Sequence, residues 1–350
     1  MNILIVKMSA IGDVIHTLPA LNALRDHFPE ARITWLVEEA AADLVIGHPS
    51  VDNVIVSKRK RWIRSLFSSS FPSALIKILS FIRALRETEY DMIIDFQGLL
   101  KSGVMVMLAR GKKRIGFDKG MEHAECSHLF YNHRIAPVSM EIHALKRGLM
   151  MIQALGVKAD KVEYRLPVTP GARAAVHTLL KKNGIPAKEK FICINPQATW
   201  ETKLWDNGKF ADLSDRIQEQ YGARIVFTGG PEDRPVIDTI ISMTNKTCVN
   251  LAGLTTLKML AALYEQADVL VTTDTGPMHL GAAAGTRVVA IFGSTAPWRT
   301  GPYGSDHVVV RSAGRCSPCF NRECEHRTCM HDISVDQVMS AVNKQMGVMP

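Results

Sequence analysis

The chain has 350 residues, with 42 Lys plus Arg against 34 Asp plus Glu, giving a formal charge of +8. That length favours two domains, because single cores rarely grow past roughly 250–300 residues. With 47% hydrophobic and 22% charged residues and no low-complexity tract, the composition excludes disordered, collagen-like and coiled-coil classes. The charge is lopsided. Residues 1–175 hold 24 basic and 17 acidic residues, and residues 176–350 hold 18 and 17.

The first residues lack the charged leader, apolar stretch and cleavage site of a signal peptide. No run of about 18 uncharged apolar residues occurs. The stretch 71–82 comes closest, and Lys77 interrupts it. Residues 3–6, 33–37, 54–56 and 92–95 read as strands in the first half, and 192–195, 225–228, 269–272 and 288–292 in the second. Between them, 14–27, 75–86, 209–221 and 257–267 carry helical periodicity. Strands alternating with helices imply parallel sheets covered on both faces. The series restarts near residue 190, and Leu166-Pro-Val-Thr-Pro-Gly171 reads as a linker. The reading is α/β: two Rossmann-like, doubly wound domains, 1–168 and 169–350. Ligands are expected at the carboxyl ends of the strands, by default in a cleft between the domains.

The first strand runs into Lys7-Met-Ser-Ala-Ile-Gly-Asp13. A dinucleotide fingerprint needs three glycines here, and only Gly12 is present. Asp13 at the strand–helix junction is either a general base for a hydroxyl in the cleft or a plain helix cap. Lys58-Arg-Lys-Arg-Trp-Ile-Arg64 packs five positive charges into seven residues. Beside Leu66, Phe67 and Phe71, this run suits phosphates, an anionic membrane surface or nucleic acid, or is a solvated loop. Gly98-Leu-Leu-Lys101-Ser102 fails as a phosphate loop, lacking the upstream glycine and the Gly-Lys pair.

In the second half, Thr199 and Lys203 follow a strand and suit a phosphate. Thr228-Gly-Gly-Pro-Glu-Asp233 allows close backbone approach at Gly229 and Gly230, with Glu232 or Asp233 as acceptors for ribose hydroxyls or as caps. The strongest local signal is Asp274-Thr-Gly-Pro-Met-His-Leu-Gly281 after an apolar strand. Pro277 suits the first turn of a helix. Thr275 and Gly276 then lie where free N–H groups and the helix dipole meet an anion, and a diphosphate is the obvious guest. His279 is either a ligand contact or a satisfied core residue.

Six segments in order resemble glycosyltransferase family 9, the bacterial heptosyltransferases of lipopolysaccharide core assembly. They are Val6-Lys-Met-Ser-Ala-Ile-Gly-Asp-Val-Ile-His-Thr-Leu-Pro-Ala-Leu21, Trp35-Leu-Val-Glu-Glu39, Arg61-Trp62, Ile94-Asp-Phe-Gln-Gly-Leu-Leu-Lys-Ser102, Leu129-Phe-Tyr-Asn132 and Asp274-Thr-Gly276. The pattern looks closest to the heptosyltransferase I branch. The resemblance implies a GT-B fold, with the acceptor on the N-terminal domain and ADP-heptose on the C-terminal one. It implies inverting, metal-independent transfer of L-glycero-D-manno-heptose to the Kdo of Kdo-lipid A, by a cytoplasmic enzyme peripheral to the inner membrane. By similarity, Asp13 is the general base, and Lys60, Arg61 and Arg64 meet the acceptor's anionic groups. Gly12, Thr199, Lys203, Glu232, Asp233, Asp274, Thr275, Gly276, Pro277, Met278 and His279 belong to the donor site. No cofactor is implied. The alternatives are a later-acting heptosyltransferase, a GT-B nucleotide-sugar epimerase, or a nucleic-acid module suggested by charge alone, for which no recognition motif is found.

Two features depart from the family pattern. Ala198-Thr199 stands where the family can carry paired threonines. Cys316, Cys319, Cys324 and Cys329, spaced C-x2-C-x4-C-x4-C, either hold zinc or an iron–sulfur cluster or are reduced thiols in a folded loop.

Overall fold

The computed structural model describes residues 1–66, 71–122, 125–312, 314 and 316–347. The chain divides into two compact units, Met1–Pro167 and Val168–Pro350. The first unit carries strands β1 (Asn2–Val6), β2 (Arg32–Glu38), β3 (Asn53–Ser57), β4 (Glu89–Asp95), β5 (Arg110–Phe117) and β6 (His133–Ile135). Its helices are α1 (Ile11–His27), α2 (Arg59–Leu66), α3 (Phe71–Arg86), α4 (Leu100–Leu108) and α5 (Ala144–Gln153). The second unit carries β7 (Phe191–Asn195), β8 (Arg224–Phe227), β9 (Cys248–Asn250), β10 (Val269–Thr273), β11 (Val288–Phe292) and β12 (Val308–Arg311). Its helices are α6 (Pro170–Lys182), α7 (Asn207–Tyr221), α8 (Arg234–Ser242), α9 (Leu257–Tyr264), α10 (Gly276–Ala283), α11 (Pro297–Thr300), α12 (Thr328–His331) and α13 (Val335–Gln345).

Both sheets are parallel and have the same connectivity. The orders are β3-β2-β1-β4-β5-β6 and β12-β11-β10-β7-β8-β9. Numbered within its own unit, each sheet runs 3-2-1-4-5-6, so the restart near residue 190 marks a repeated topology. The central strands explain the parallel form. Ile3, Leu4, Ile5 and Val6 are all fully buried, as are Ile192, Cys193 and Ile194. A strand apolar on both faces needs helices above and below it.

The strands that sequence periodicity missed lie towards the sheet edges. β5 is basic, and its polar side chains are held by cross-strand charge: Lys112 Nζ lies 3.0 Å from Asp91 and Arg110 3.9 Å from Glu89 on β4. The segment read as a linker becomes partly helical. Pro170 opens α6, and the Thr169 hydroxyl accepts from Ala172 N–H at 3.1 Å. No helix among the described residues is long and apolar enough to cross a membrane.

In each unit the connections leave in opposite directions from one pair of neighbouring strands. That switch point lies between β1 and β4 in the first sheet and between β7 and β10 in the second. There the loops part and leave a crevice at the carboxyl ends of the strands.

Candidate active site

In the first unit the switch point is a cavity of about 310 Å³. Lys7, Asp13, His16, Gln97, Met140 and Arg147 are among its lining residues. The loop after β1 is fastened to the loop after β4, because Met8 and Ser9 N–H both donate to Gln97 Oε1, at 3.1 and 3.0 Å. Lys7 spans the same gap. Its ammonium donates to Phe96 C=O at 3.2 Å and lies 3.5 Å from Asp13 Oδ2.

Asp13 is the third residue of α1, not its cap. Its carboxylate accepts only a long bond, 3.4 Å, from Ala10 N–H. Its side chain keeps 44% exposure against 11% for Lys7. A half-exposed carboxylate at a cavity wall, with a buried cation behind it, can take a proton from a bound hydroxyl. Arg147 is held by Met140 and Ile142 carbonyls at 2.9 and 3.1 Å, so a second cation is fixed in the same cavity. Gly12 is buried beside Asp13 in the first turn of α1.

Behind this wall lies a polar network that sequence reasoning missed. Asp95 ends β4 and is 1% exposed. It accepts from Gln97 and Gly98 N–H at 2.8 and 3.1 Å, and from the Ser102 and Tyr131 hydroxyls at 2.7 and 2.8 Å. Burial pushes its carboxyl above the usual range, against the pull of those donors. Burial and the neighbouring Asp95 push the Tyr131 phenol up, so it remains a donor. Two segments that read as separate motifs, 94–102 and 129–132, are thus one structure. The available signal was the polar residues Asp95, Ser102 and Tyr131 set in apolar surroundings.

The basic run is helix α2, with its cations unevenly committed. Arg61 and Lys58 pair with Glu39 at 3.0 and 3.7 Å, and Arg59 with Glu38 at 3.7 Å. Glu38 also meets Lys101, which donates to the Ser9 hydroxyl at 2.6 Å. A chain of charges therefore links α2 to the loop beside Asp13. Trp62 turns inward, 5.0 Å from Phe81 and packed on the core, rather than outward. Phe67 and the side chains of Leu66 and Phe71 lie outside the described residues.

In the second unit the switch point gathers Lys203, Asp274 and the start of α10. Lys203 Nζ lies 2.7 Å from Asp274 Oδ2, and the side chains are 16% and 6% exposed. The same oxygen accepts from the Thr295 hydroxyl at 2.6 Å. Thr275 precedes α10 without capping it, and Pro277 sits in the first turn. The N–H end of the helix is thus left for an anion beside one ammonium group. Met278 follows Pro277 in the first turn of α10. It is fully buried, and its N–H donates to Thr275 C=O at 3.1 Å, so it supports the turn. His279 is also buried, at 8% exposure.

Thr199 is exposed in a groove with Trp200, Glu201, Arg322 and Cys324. Lys203 and Arg322 lie over the Trp200 ring at 4.4 and 4.9 Å. Thr202 donates to Asn321 C=O at 2.7 Å, so the cysteine-rich segment is docked on the Thr199–Lys203 loop. Arg322 is a cation that sequence reasoning did not assign. On the turn after β8, Asp233 accepts from Gly230 N–H at 2.7 Å and is pushed up by burial, while Glu232 is exposed. A Cβ on Gly229 would meet Asp233 at 2.9 Å, which is why the turn needs glycine there.

The four tail cysteines are free thiols. Cys329 is buried, and its thiol is pushed up by burial and then by Cys316, Cys319 and Cys324 nearby. Among the described residues, no three His, Cys, Asp or Glu side chains are gathered as a metal-binding group.

Comparison with known proteins gives this geometry a context. The model of glycosyltransferase family 9 (heptosyltransferase) matches residues 78–330. Lipopolysaccharide heptosyltransferase 1 of Pseudomonas aeruginosa is 30% identical over 336 residues, covering 95% of this chain and 90% of the relative. The chain belongs to glycosyltransferase family 9. Among solved structures, Escherichia coli heptosyltransferase WaaC with ADP superposes with a TM-score of 0.80 at 26% identity, over 99% of this chain and 100% of that one. WaaC with ADP-2-deoxy-2-fluoro heptose gives 0.76 at 25% identity, over 98% and 99%. As a family 9 glycosyltransferase, this chain is an enzyme of GT-B fold, and its nearly repeated units are the two halves of that fold.

Proposed function

We propose that this glycosyltransferase moves L-glycero-D-manno-heptose from ADP-heptose to the Kdo sugar of Kdo-lipid A, at the cytoplasmic face of the inner membrane. The observation that carries the reading is Asp13, half-exposed at the first switch point and backed by Lys7. The relatives supply the substrate class: heptosyltransferase 1 by name, and WaaC through its ADP and ADP-fluoroheptose complexes.

The acceptor hydroxyl attacks the anomeric carbon and forms a C–O bond with inversion. Its proton passes to the Asp13 carboxylate. The bond from the anomeric carbon to the diphosphate oxygen breaks, and ADP leaves with the electron pair. The charge growing on that oxygen is met by Lys203 and the N–H end of α10. Lys203 is held by Asp274 until the diphosphate competes for it. Lys7 and Arg147 suit an acidic sugar beside Asp13. Lys60, Arg61 and Arg64 suit the acceptor's further phosphates, Thr199 the donor phosphates, and Glu232 or Asp233 the ribose. No step calls for a metal ion.

The test is transfer from ADP-heptose to Kdo-lipid A, run beside an acceptor that already carries one heptose and in the presence of EDTA. Preference for the bare Kdo acceptor, unchanged by EDTA, is expected. Preference for the heptosylated acceptor would reassign the enzyme to a later step. Asp13→Asn should lower turnover by about 10²–10⁴-fold, the usual worth of a general base, with ADP binding intact. Near-normal turnover in that variant would remove Asp13 from the mechanism.

A further inference from the structure

Helix α3 has two apolar faces, and a soluble core uses only one of them. Ala74, Phe81 and Leu85 are buried against the sheet, with Trp62 of α2 packed on Phe81. At 100° per residue, Leu75, Ile76 and Leu79 fall on the far side of the helix. They are 43%, 68% and 56% exposed, and Ile63 of α2 adds a fourth apolar side chain at 43%. A lone exposed leucine means little, but a helical stripe of large apolar side chains marks a contact surface.

The charge around the stripe is of one sign. Residues 58–86 contain eight Lys or Arg and no Asp or Glu. Lys58, Arg59 and Arg61 share Glu38 and Glu39, so their charge is only partly offset. Lys60, Arg64, Lys77 and Arg83 have no carboxylate partner among the described residues, and all four are exposed. Lys58, Arg61 and Lys77 also line a small pocket of about 270 Å³ between α2 and α3, with Ser65 and Ser73. A cationic pocket lined by hydroxyls suits a phosphate head group. An apolar helical stripe edged by cations is the pattern of a helix lying in the plane of a bilayer interface.

We infer that the outer face of α3, with Ile63 and the cations of α2, docks this enzyme on an anionic lipid bilayer. This deepens the proposed function, which places the acceptor in a membrane, but its test does not depend on transfer. Leu75, Ile76 and Leu79 enter the acyl boundary. Lys60, Arg64, Lys77 and Arg83 meet the lipid phosphates. Trp62 faces the other way and holds α2 on the core.

The experiment is co-sedimentation of the full chain with vesicles of phosphatidylcholine, with and without one-third phosphatidylglycerol, without sugar substrates. Binding to the anionic vesicles should exceed binding to neutral ones at least about tenfold and fall steeply with salt. The triple change Leu75→Ser, Ile76→Ser, Leu79→Ser should cut it by about tenfold or more, with an unchanged melting temperature, since these side chains face solvent. Lys77→Glu with Arg83→Glu should do the same by charge. Transfer to a delipidated Kdo acceptor should be untouched in the serine variant, so loss of docking and loss of catalysis read out separately. Equal binding by wild type and serine variant, or equal binding to neutral and anionic vesicles, would overturn the proposal. So would wild-type protein that ignores vesicles but forms a dimer which the serine variant abolishes, because the stripe would then serve a second copy of the chain.

Discussion

Lys203 and Asp274 offer a test of the candidate donor site that needs no acceptor. Their contact is 2.7 Å, and both side chains are mostly out of water. Removing one partner of such a pair strands the other charge, at about 3–5 kcal/mol. Thr295 still donates to Asp274 when Lys203 is gone, and Lys203 keeps some access to solvent, so Lys203→Met should fall near the lower figure. For a unit of this size, about 1 kcal/mol moves the melting temperature by roughly 2–4 °C, so a drop of about 6–12 °C is expected. Asp274→Asn leaves an unpaired ammonium and should cost a similar amount. The double variant has no stranded charge and should cost clearly less than the sum, with a coupling of about 2 kcal/mol. The assay is thermal unfolding of the four proteins with and without ADP. ADP at about 100 times its Kd should stabilise the wild type by about 2.7 kcal/mol, and Lys203→Met should lose most of that gain. Single variants within about 0.5 kcal/mol of wild type and an additive double would refute the argument. They would show that the contact carries no net energy and that Lys203 is not held for an anion.

The remaining predictions concern residues around the two sites. Tyr131→Phe removes one of four donors to the buried Asp95 and should cost about 1–3 kcal/mol by urea unfolding; no change would mean that water replaces the hydroxyl. His48 is 1% exposed, its Nδ1 accepts from Ser50 N–H at 3.1 Å, and its Nε2 faces Tyr164 C=O at 3.0 Å. Burial holds its pKa below the ordinary value of about 6.5, so the folded chain binds fewer protons than the unfolded one. Its contribution to stability should be complete above that value and lost as pH falls from about 6.5 through the folded pKa. Replacing His48 by Gln should flatten that part of the urea-midpoint profile, and an unaltered slope would assign it to other groups. Among the thiols, Cys126, Cys316 and Cys324 are exposed, whereas Cys193 and Cys329 are buried. A thiol reagent should titrate the first three in the native protein and the buried pair only after unfolding. Protection of Cys316 and Cys324, with release of one metal ion per chain on denaturation, would show that the tail is a metal site.

The sequence by itself determined the fold class and the central strands of both sheets. Strands such as 3–6 and 192–195 are continuous apolar runs, and in a parallel sheet only buried strands look like that. It also marked Asp13, Lys203 and Asp274, because a charged residue just after such a strand stands at the sheet's carboxyl edge. The family segments were legible for the same reason, each being a strand end with its loop. β5, β6, β9 and β12 were not legible: three of them are short strands of three or four residues, and β5 holds its basic side chains by cross-strand charge pairing rather than by alternation. Only the tertiary structure decided which charges are paired. It spent Arg59 and Arg61 on Glu38 and Glu39, and left Lys60 and Arg64 for a partner. It joined Asp95, Ser102 and Tyr131 into one buried network, across 36 residues of chain. It folded the cysteine-rich tail against the Thr199–Lys203 loop, bringing Arg322 beside Trp200. It turned Trp62 inward and Leu75, Ile76 and Leu79 outward. Periodicity reports that a helix has an apolar face. Which of two apolar faces meets the core depends on the sheet beneath, and that is a long-range contact that no local pattern encodes.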